Sequence, residues 1–160
     1  MTYLLEELLT IRKYRDRIAL GHTLTAKKEL DDAKTKQAES ISELMSFTKW
    51  RQKKEKKLFE QLMHQTIKIC DLELFYQYIE FLIDKQISLV DNIKKREQEV
   101  LNAEEKLKKA QEHYVKLNQA KQKLEEHKNI CSQEKYLQNE RQEDNEQDEF
   151  NTNVKVHIWP

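Results

Sequence analysis

Side chains that could bind a metal are few in this sequence and stand far apart. His64 lies six residues before Cys70, and the remaining histidines are scattered along the chain, at His22, His113, His127 and His157. Metal ligands on a helix recur one turn apart, and no pair of these histidines has that spacing together with an acidic partner. The sequence therefore predicts no metal site.

Motifs for phosphate binding and nucleophilic catalysis are also missing. A chain with a single glycine, Gly21, cannot form a glycine-rich phosphate loop, and no serine sits in a nucleophile motif. We predict that the protein is not an enzyme and uses no cofactor. Its function then lies in binding other proteins.

A basic run with one aromatic residue stands in the first half of the chain. It contains Lys49, Trp50, Arg51, Lys53, Lys54, Lys56 and Lys57. Such a run fits either a nucleic-acid patch or the solvated face of a helix. A helix spreads these basic groups around its circumference, and the overall charge is zero. We therefore favour the solvated face and expect no nucleic-acid partner.

The composition predicts long, thin helices. Of the 160 residues, 36% are charged and only 38% are hydrophobic, and the only glycine and proline are Gly21 and Pro160. Turns of β and α/β folds need many such residues. The polar residues are mainly Lys, Glu and Gln, which lose little free energy in a helix. Narrow apolar seams between helices are more consistent with this composition than a globular core.

Cysteine usage and hydropathy predict where the protein resides. Cys70 and Cys131 are too few and too far apart for a disulfide framework, and they are typical of cytosolic thiols. No apolar stretch reaches membrane-spanning length. We expect a cytoplasmic protein without direct membrane insertion.

A heptad seam runs through the second half of the chain. Its positions, at alternating steps of four and three, are Phe75, Ile79, Leu82, Gln86, Leu89, Ile93, Arg96, Val100, Ala103, Leu107, Ala110, Tyr114, Leu117, Lys121, Leu124, Lys128 and Cys131. Of these 17 positions 13 are apolar, and the register does not slip. This is the pattern of one helix of a left-handed coiled coil.

The first half is also predicted to be helical, but its apolar pattern drifts in phase. The apolar positions are Leu4, Leu5, Leu8, Leu9, Ile11, Ile18, Ala26, Leu30, Ala33, Ile41, Leu44, Leu58, Leu62 and Ile69. Drift of this kind locally unwinds a supercoil. We expect a less regular partner helix that continues through Gly21 and is weakest near residues 21–25.

The turn between the two helices is predicted at Lys68–Asp71. Asp71 can cap a new helix, and the heptad seam starts directly after it. Helix 1 is then expected over about 3–69 and helix 2 over about 72–148.

The predicted architecture is all-α, a long antiparallel two-helix coiled-coil hairpin over residues 1–150. Residues 151–160 change to a β-prone composition and are expected to form a flexible tail. We expect a monomer. The alternative is a generic coiled-coil adaptor or tether that dimerises in parallel through the seam.

Aromatic and large apolar residues crowd the helix after the predicted turn. They are Phe75, Tyr76, Tyr78, Ile79, Phe81, Leu82 and Ile83. Seam residues such as Leu82 can pack inward, and Tyr76, Tyr78 and Phe81 must then face elsewhere. The last turns of helix 1 can cover these rings as a small terminal core, the rings can form a partner site, and both interpretations can hold at once.

Leucines and basic residues follow each other at the start of the chain. Leu4, Leu5, Leu8 and Leu9 precede Arg12, Lys13, Arg15 and Arg17. The pattern indicates an amphipathic helix. Membrane-surface binding would fit it, but Glu6 and Glu7 lie inside the block, so packing against helix 2 or a partner protein is favoured.

Three segments together resemble the YscO/FliJ family, the coiled-coil stalk proteins of type III secretion and flagellar export. They are Tyr3–Lys13 (YLLEELLTIRK), Tyr76–Leu82 (YQYIEFL) and Glu146–Phe150 (EQDEF). Their order, their spacing and the chain length fit the family jointly. The opening segment resembles the YscO branch, that of injectisomes, best.

The resemblance implies a hairpin whose open end enters the central pore of a hexameric secretion ATPase and stimulates it. The implied ATPase-binding residues are Leu4, Leu8, Arg12, Lys13, Gln147, Asp148, Glu149 and Phe150. Family members also bind secretion chaperones, and no residue of this sequence identifies that surface. The implied location is the cytoplasmic base of the secretion apparatus.

The resemblance also implies that the turn end of the hairpin reaches the export gate, through the cytoplasmic domain of a membrane protein. Tyr78 and Leu82 match apolar positions with which flagellar members bind the gate, and Tyr76 and Phe81 complete the export-gate surface that we predict. Lys85 replaces a small residue of the flagellar pattern, which leaves the width of the gate contact open.

Overall fold

Two helices make up almost all of the structure. The computed structural model describes residues 4–64, 66 and 68–156, and side chains only as far as residue 152. Helix α1 spans Glu6–Met63 and helix α2 spans Ile69–Val156. Within these described ranges there is no strand. The predicted all-α helical hairpin is thus confirmed.

The contacts between α1 and α2 fall into two units. One unit contains Met1–Leu20 and Glu112–Pro160, and the other contains Gly21–Gln111. In the second unit Leu30 of α1 packs with Val100 and Ala103 of α2 in a small buried cluster. Paired residue numbers rise along α1 as they fall along α2 in both units, so the helices run antiparallel in each.

The heptad seam of α2 lies where the sequence predicts it. All 17 predicted positions from Phe75 to Cys131 are buried or half-buried, including the polar Gln86, Arg96, Lys121 and Lys128. Lys and Arg can occupy seam positions because they bury their methylene stems and still direct their charged ends to water.

The seam of α1 is more regular than the sequence indicated. Its buried and half-buried residues, again at alternating steps of four and three, are Leu5, Leu9, Arg12, Asp16, Ala19, Thr23, Ala26, Leu30, Ala33, Gln37, Ser40, Leu44, Phe47 and Arg51. The predicted drift was wrong, because exposed residues such as Ile11, Ile18 and Ile41 were counted as packing residues. The spacing changes at Glu55. A step of three from Arg51 would place Lys54 in the seam, but Lys54 is exposed and Glu55 is half-buried instead.

Small residues recur once per heptad in α1, and they shape the contact with α2. Ala19, Ala26, Ala33 and Ser40 are spaced by seven and are buried or half-buried. Small side chains at a helix contact shorten the distance between the helix axes. In agreement with a close approach, the Thr23 hydroxyl donates across the interface to the Ala110 carbonyl at 3.3 Å.

The segment between the helices lies upstream of the predicted turn. Helix α1 ends at Met63 and α2 begins at Ile69, so Asp71 belongs to the first turn of α2 rather than to the preceding cap. Its carboxylate accepts a hydrogen bond from the Lys68 backbone N–H at 3.3 Å. This is the reach-back half of a capping box, which satisfies a backbone donor at the start of the helix.

Helix α2 also continues past its predicted end near residue 148. Residues 151–156 are helical, where the sequence indicated a flexible tail. The remainder of the predicted tail, residues 157–160, lies outside the described residues. As predicted, α1 continues through Gly21 without a break.

Candidate functional site

A polar cluster joins α1 to α2 in the unit that contains both chain ends, which we call the open end. The Asp16 carboxylate accepts hydrogen bonds from Lys121 Nζ at 2.8 Å and from Asn118 Nδ2 at 3.0 Å. The bond from Lys121 lowers the pKa of Asp16, and the same bond raises the pKa of Lys121. Desolvation opposes both shifts without reversing them. Both groups therefore stay charged in the seam at neutral pH.

Arg12 and Lys13, two of the predicted ATPase-binding residues, make contacts within the hairpin. Arg12 Nη1 donates to the Ala120 carbonyl at 2.6 Å. Lys13 Nζ lies 3.4 Å from Glu125 Oε1. Arg12 is half-buried in the seam, whereas Lys13 is exposed and able to exchange Glu125 for a partner. Arg12 thus stabilises the open end, and Lys13 is available at its surface.

Leu4 and Leu8 point away from the seam. Leu4 is 95% exposed and Leu8 is 38% exposed, whereas Leu9 is buried between the helices. Leu8 lies in the first turns of α1, and Leu4 lies four residues upstream in the turn just before the helix. They form a short apolar strip that α2 does not cover.

Residues 132–152 of α2 extend past the start of α1, and we call this segment the overhang. Glu6, the first residue of α1, pairs with Lys128 at 2.7 Å, and every residue from 132 to 152 is exposed. The helix rises about 1.5 Å per residue, so Phe150 lies about 30 Å beyond Lys128 along the axis.

This geometry separates the predicted ATPase-binding residues into two groups. Leu4, Leu8, Arg12 and Lys13 lie where the helices still pair, and Gln147–Phe150 lie near the end of the overhang. Leu4 and Phe150 do not lie side by side, because α2 is longer than α1 and extends past its start. Each group is nevertheless accessible, and Phe150 is 70% exposed.

The overhang carries aromatic and aliphatic side chains that sequence reasoning missed. Tyr136 and Leu137 are exposed on an otherwise charged stretch, in which residues 134–149 hold seven acidic and two basic residues. A coiled-coil seam that fades after Cys131 gave no reason to select them. Tyr136 and Leu137 could have been identified from their position beyond the last residue of α2 that pairs with α1.

The aromatic residues near the segment between the helices, which we call the turn end, divide into exposed and buried members. Tyr76 and Phe81 are each 61% exposed, Tyr78 is half-buried, and Leu82 is 1% exposed. Of the predicted export-gate residues, Tyr76 and Phe81 therefore present most of their surface. Leu82 belongs to the contact between the helices and cannot touch a partner in this fold.

A shallow apolar groove accompanies the exposed rings at the turn end. Phe59 of α1 and Phe75, Tyr76 and Ile79 of α2 line it. Met63 and Ile69 are exposed and Leu62 is half-buried, so these residues cover the rings only in part. Ile67, in the segment between the helices, lies outside the described residues. Exposed apolar surface of this kind on a charged helical pair is typical of a protein-binding site.

The described part of the chain offers neither a metal site nor a membrane-spanning helix. No group of three or more His, Cys, Asp or Glu side chains there is arranged to hold a metal ion. In the same residues, neither helix has a stretch that is long and apolar enough to cross a membrane. The surfaces at the open end and the turn end are thus the strongest candidates.

Comparison with known proteins relates these surfaces to a family. The model of the type III secretion protein YscO matches residues 5–153, which is most of the chain. The solved structure of a YscO homolog, CT670 from Chlamydia trachomatis, is similar at a TM-score of 0.78 with 26% sequence identity, covering 98% of this chain and 97% of that one. No functionally curated protein matches the sequence. The matched residues include all of α1 and nearly all of α2, and the chain belongs to the YscO family of type III secretion proteins.

Proposed function

We propose that the protein is a cytoplasmic stalk of a type III secretion system. In this proposal its open end binds and stimulates the hexameric secretion ATPase, and its turn end binds the export gate. The observation that carries the proposal is the overhang, a helical segment that the rest of the hairpin leaves uncovered. A helix without a packing partner in its own chain is marginally stable, and a partner's surface would supply the missing burial.

The ATPase contact is proposed to have two parts. The apolar strip of Leu4 and Leu8 provides one, and the end of the overhang around Phe150 provides the other. Large exposed apolar and aromatic side chains are the residues from which binding energy usually comes. Acidic residues such as Asp148 and Glu149 predominate in the overhang, whereas Gln147 is neutral. The acidic residues would favour a basic surface on the partner.

The export-gate contact is proposed to centre on Tyr76 and Phe81. Both rings are exposed, and the groove beside Tyr76 offers room for a partner's apolar side chain. Of the two residues taken from the family resemblance, Tyr78 is half-buried and Leu82 is buried between the helices. The proposed gate contact therefore relies mainly on the two rings added to them, Tyr76 and Phe81.

A parallel dimer through the α2 seam is less consistent with this fold. Seam residues such as Val100 and Ala103 pack against Leu30 of the same chain. In a parallel dimer, α2 of a second chain would replace α1 in the seam, and the apolar residues of α1 would be exposed to water. The proposal therefore includes a monomeric hairpin, with secretion chaperones as further partners whose contact surface is not assigned.

A binding experiment with both partners tests the proposal. The purified chain is mixed with the ATPase of its own secretion system and with the cytoplasmic domain of the export-gate protein, and complexes are resolved by sedimentation velocity. We expect a Leu4→Ala/Leu8→Ala/Phe150→Ala variant to lose binding to the ATPase and to retain binding to the export-gate domain. A Tyr76→Ala/Phe81→Ala variant should show the reverse.

The matched control is Leu101→Ala, which removes an exposed leucine outside both surfaces. It should bind both partners as the parent chain does. Loss of both partners in either surface variant, with the helical circular dichroism unchanged, would contradict the assignment of separate surfaces. Unchanged binding in both surface variants would contradict the proposed stalk function.

A further inference from the structure

The outward face of α1 near the turn end carries lysines that no carboxylate neutralises. Lys49, Lys53, Lys54, Lys56 and Lys57 are all exposed. Within the described residues, none of the five lies within ion-pair distance of an acid. Glu55 is the only acid between residues 49 and 59, and it lies against Arg51, whose Nε is 3.0 Å from Glu55 Oε1. Some other charges of α1 do pair with α2, as Lys34 does with Glu104.

Trp50 stands among these lysines. Its side chain is 47% exposed, and its ring lies against Phe47 with 5.6 Å between the centroids. Lys53, Lys54 and Lys57 follow Trp50 at three, four and seven residues, so they lie on the same side of the helix. A shallow depression is lined by Trp50, these three lysines, Lys56 and Glu60. We call this surface the Trp50 patch.

Helix α2 adds another positive charge beside the Trp50 patch. Lys85 Nζ lies 5.2 Å from the centroid of the Phe47 ring, on which Trp50 also packs. A cation over an aromatic face is held there by the ring's quadrupole. An ammonium from each helix therefore borders the same aromatic pair.

The arrangement is unfavourable for the free protein. Lysines at i and i+4, such as Lys49 with Lys53 and Lys53 with Lys57, repel each other on a helix surface. An exposed tryptophan adds apolar surface in contact with water. Negative charges placed over the lysines, together with an apolar group placed on the indole, would relieve both effects.

We propose that the Trp50 patch binds an acidic helical segment of a partner protein, anchored by an apolar side chain that packs on Trp50. The lysines span about two helical turns, roughly 12 Å, which suits carboxylates recurring one turn apart on a partner helix. This surface adjoins the apolar groove at Phe59 and Tyr76, because Lys56 borders both, but Trp50 lines only the patch.

Two other ligand classes fit the patch less well. A patch of two turns reaches few phosphates, so a nucleic acid would gain little from it, and the chain as a whole is neutral. An anionic membrane would attract the lysines, but firm binding also uses an apolar helix face that enters the interface, and α1 packs its apolar seam on α2. An acidic partner helix could bind through ion pairs with the lysines and one apolar side chain packed on Trp50.

The test uses the full chain with Trp159→Phe, which leaves Trp50 as the only tryptophan. The probe is a synthetic helical peptide in which glutamates one turn apart flank a single leucine. We expect saturable binding that shifts the emission of Trp50 and weakens with added salt. A Lys53→Glu/Lys57→Glu variant should weaken binding by at least about tenfold.

The matched control is Lys27→Glu/Lys28→Glu, which reverses two exposed lysines elsewhere on α1. It should bind the peptide as the parent chain does. Equal loss in both charge-reversal variants would overturn the proposal, because it would show attraction to any positive surface. Saturable binding only to phosphatidylserine vesicles, or only to a single-stranded RNA oligonucleotide, would overturn it too and would identify the ligand class instead.

Discussion

Lys121 Nζ lies 2.8 Å from Asp16 Oδ2, inside the seam that joins α1 to α2 at the open end. The side chains are only 19% and 14% exposed, which distinguishes this ion pair from the others in the structure. Asn118 donates to the second carboxylate oxygen. An ion pair that is hydrogen-bonded on both oxygens stabilises one alignment of the two helices, because a change of register would leave a half-buried charge without its partner.

A double-mutant cycle should measure the strength of this ion pair. Asp16→Ala, Lys121→Ala and the double variant are compared by urea unfolding at pH 7. We expect a coupling energy of about 1–2 kcal/mol, between the values typical of exposed and buried pairs. The exposed pair Lys34–Glu104, at 3.4 Å, is the internal control and should couple by less than about 0.5 kcal/mol. Equal coupling in the two cycles would refute a special role for Asp16.

The same pair predicts how stability depends on pH. The pKa of Asp16 is lowered in the folded protein, so its contribution is present above the unfolded value near 3.8 and is lost as the pH falls through the folded pKa. The pKa of Lys121 is raised from 10.5, so its contribution is lost only as the pH rises through that higher folded pKa.

The acid limb is tested with Asp16→Asn. The difference in unfolding free energy between parent and variant should be constant from about pH 5 to 8 and should shrink below about pH 4. Asp32→Asn, which removes an exposed carboxylate on the same helix, should show no such trend. A difference that grows toward acid pH would have the wrong sign for a lowered pKa.

Gly21 should be replaceable by alanine with a gain in stability. It lies inside α1, and a Cβ at this position would meet nothing within 4 Å. Alanine loses less backbone entropy in a helix than glycine does, so Gly21→Ala is expected to stabilise the protein by about 0.5–1 kcal/mol. Thermal unfolding monitored by circular dichroism measures the change. A lower melting temperature would contradict this expectation and would mean that packing at this site needs the glycine.

Leu82 and Phe81 are neighbours with opposite expected effects. Leu82→Ala removes a buried side chain and should destabilise the protein by about 2–5 kcal/mol. Phe81 is 61% exposed, and Phe81→Ala should change the unfolding free energy by less than about 1 kcal/mol while weakening the gate interaction. Chemical unfolding, together with a gate-binding titration, separates the two. A large stability loss in the Phe81 variant would place its ring in the core.

The sequence predicted α2 better than α1 because the two seams differ in chemistry. Apolar residues at regular spacing marked α2, whereas the α1 seam includes Arg12, Asp16 and Gln37. A search for apolar residues selects Ile11 and Ile18 instead, which face solvent. The signal that could have corrected the phase is the spacing of seven between Ala19, Ala26, Ala33 and Ser40.

The length of the overhang could not be predicted from the sequence of either helix alone. It depends on where α1 ends and on which residues pair across the seam, such as Glu6 with Lys128. The sequence offers no glycine or proline to mark that turn. Of the predicted ATPase-binding residues, Arg12 is half-buried in the seam and the others are exposed, and the distance between their two groups depends on tertiary packing.

The most direct test of the proposed function is the rate of ATP hydrolysis by the secretion ATPase with and without this protein. The parent chain should raise the rate, and Leu4→Ala/Leu8→Ala should abolish the increase while leaving the helical content unchanged. Leu20→Ala/Leu24→Ala, which removes two exposed leucines at the same spacing farther along α1, should stimulate like the parent. Full stimulation by the Leu4/Leu8 variant, or none by the parent chain, would contradict the proposal that the open end binds and activates the ATPase.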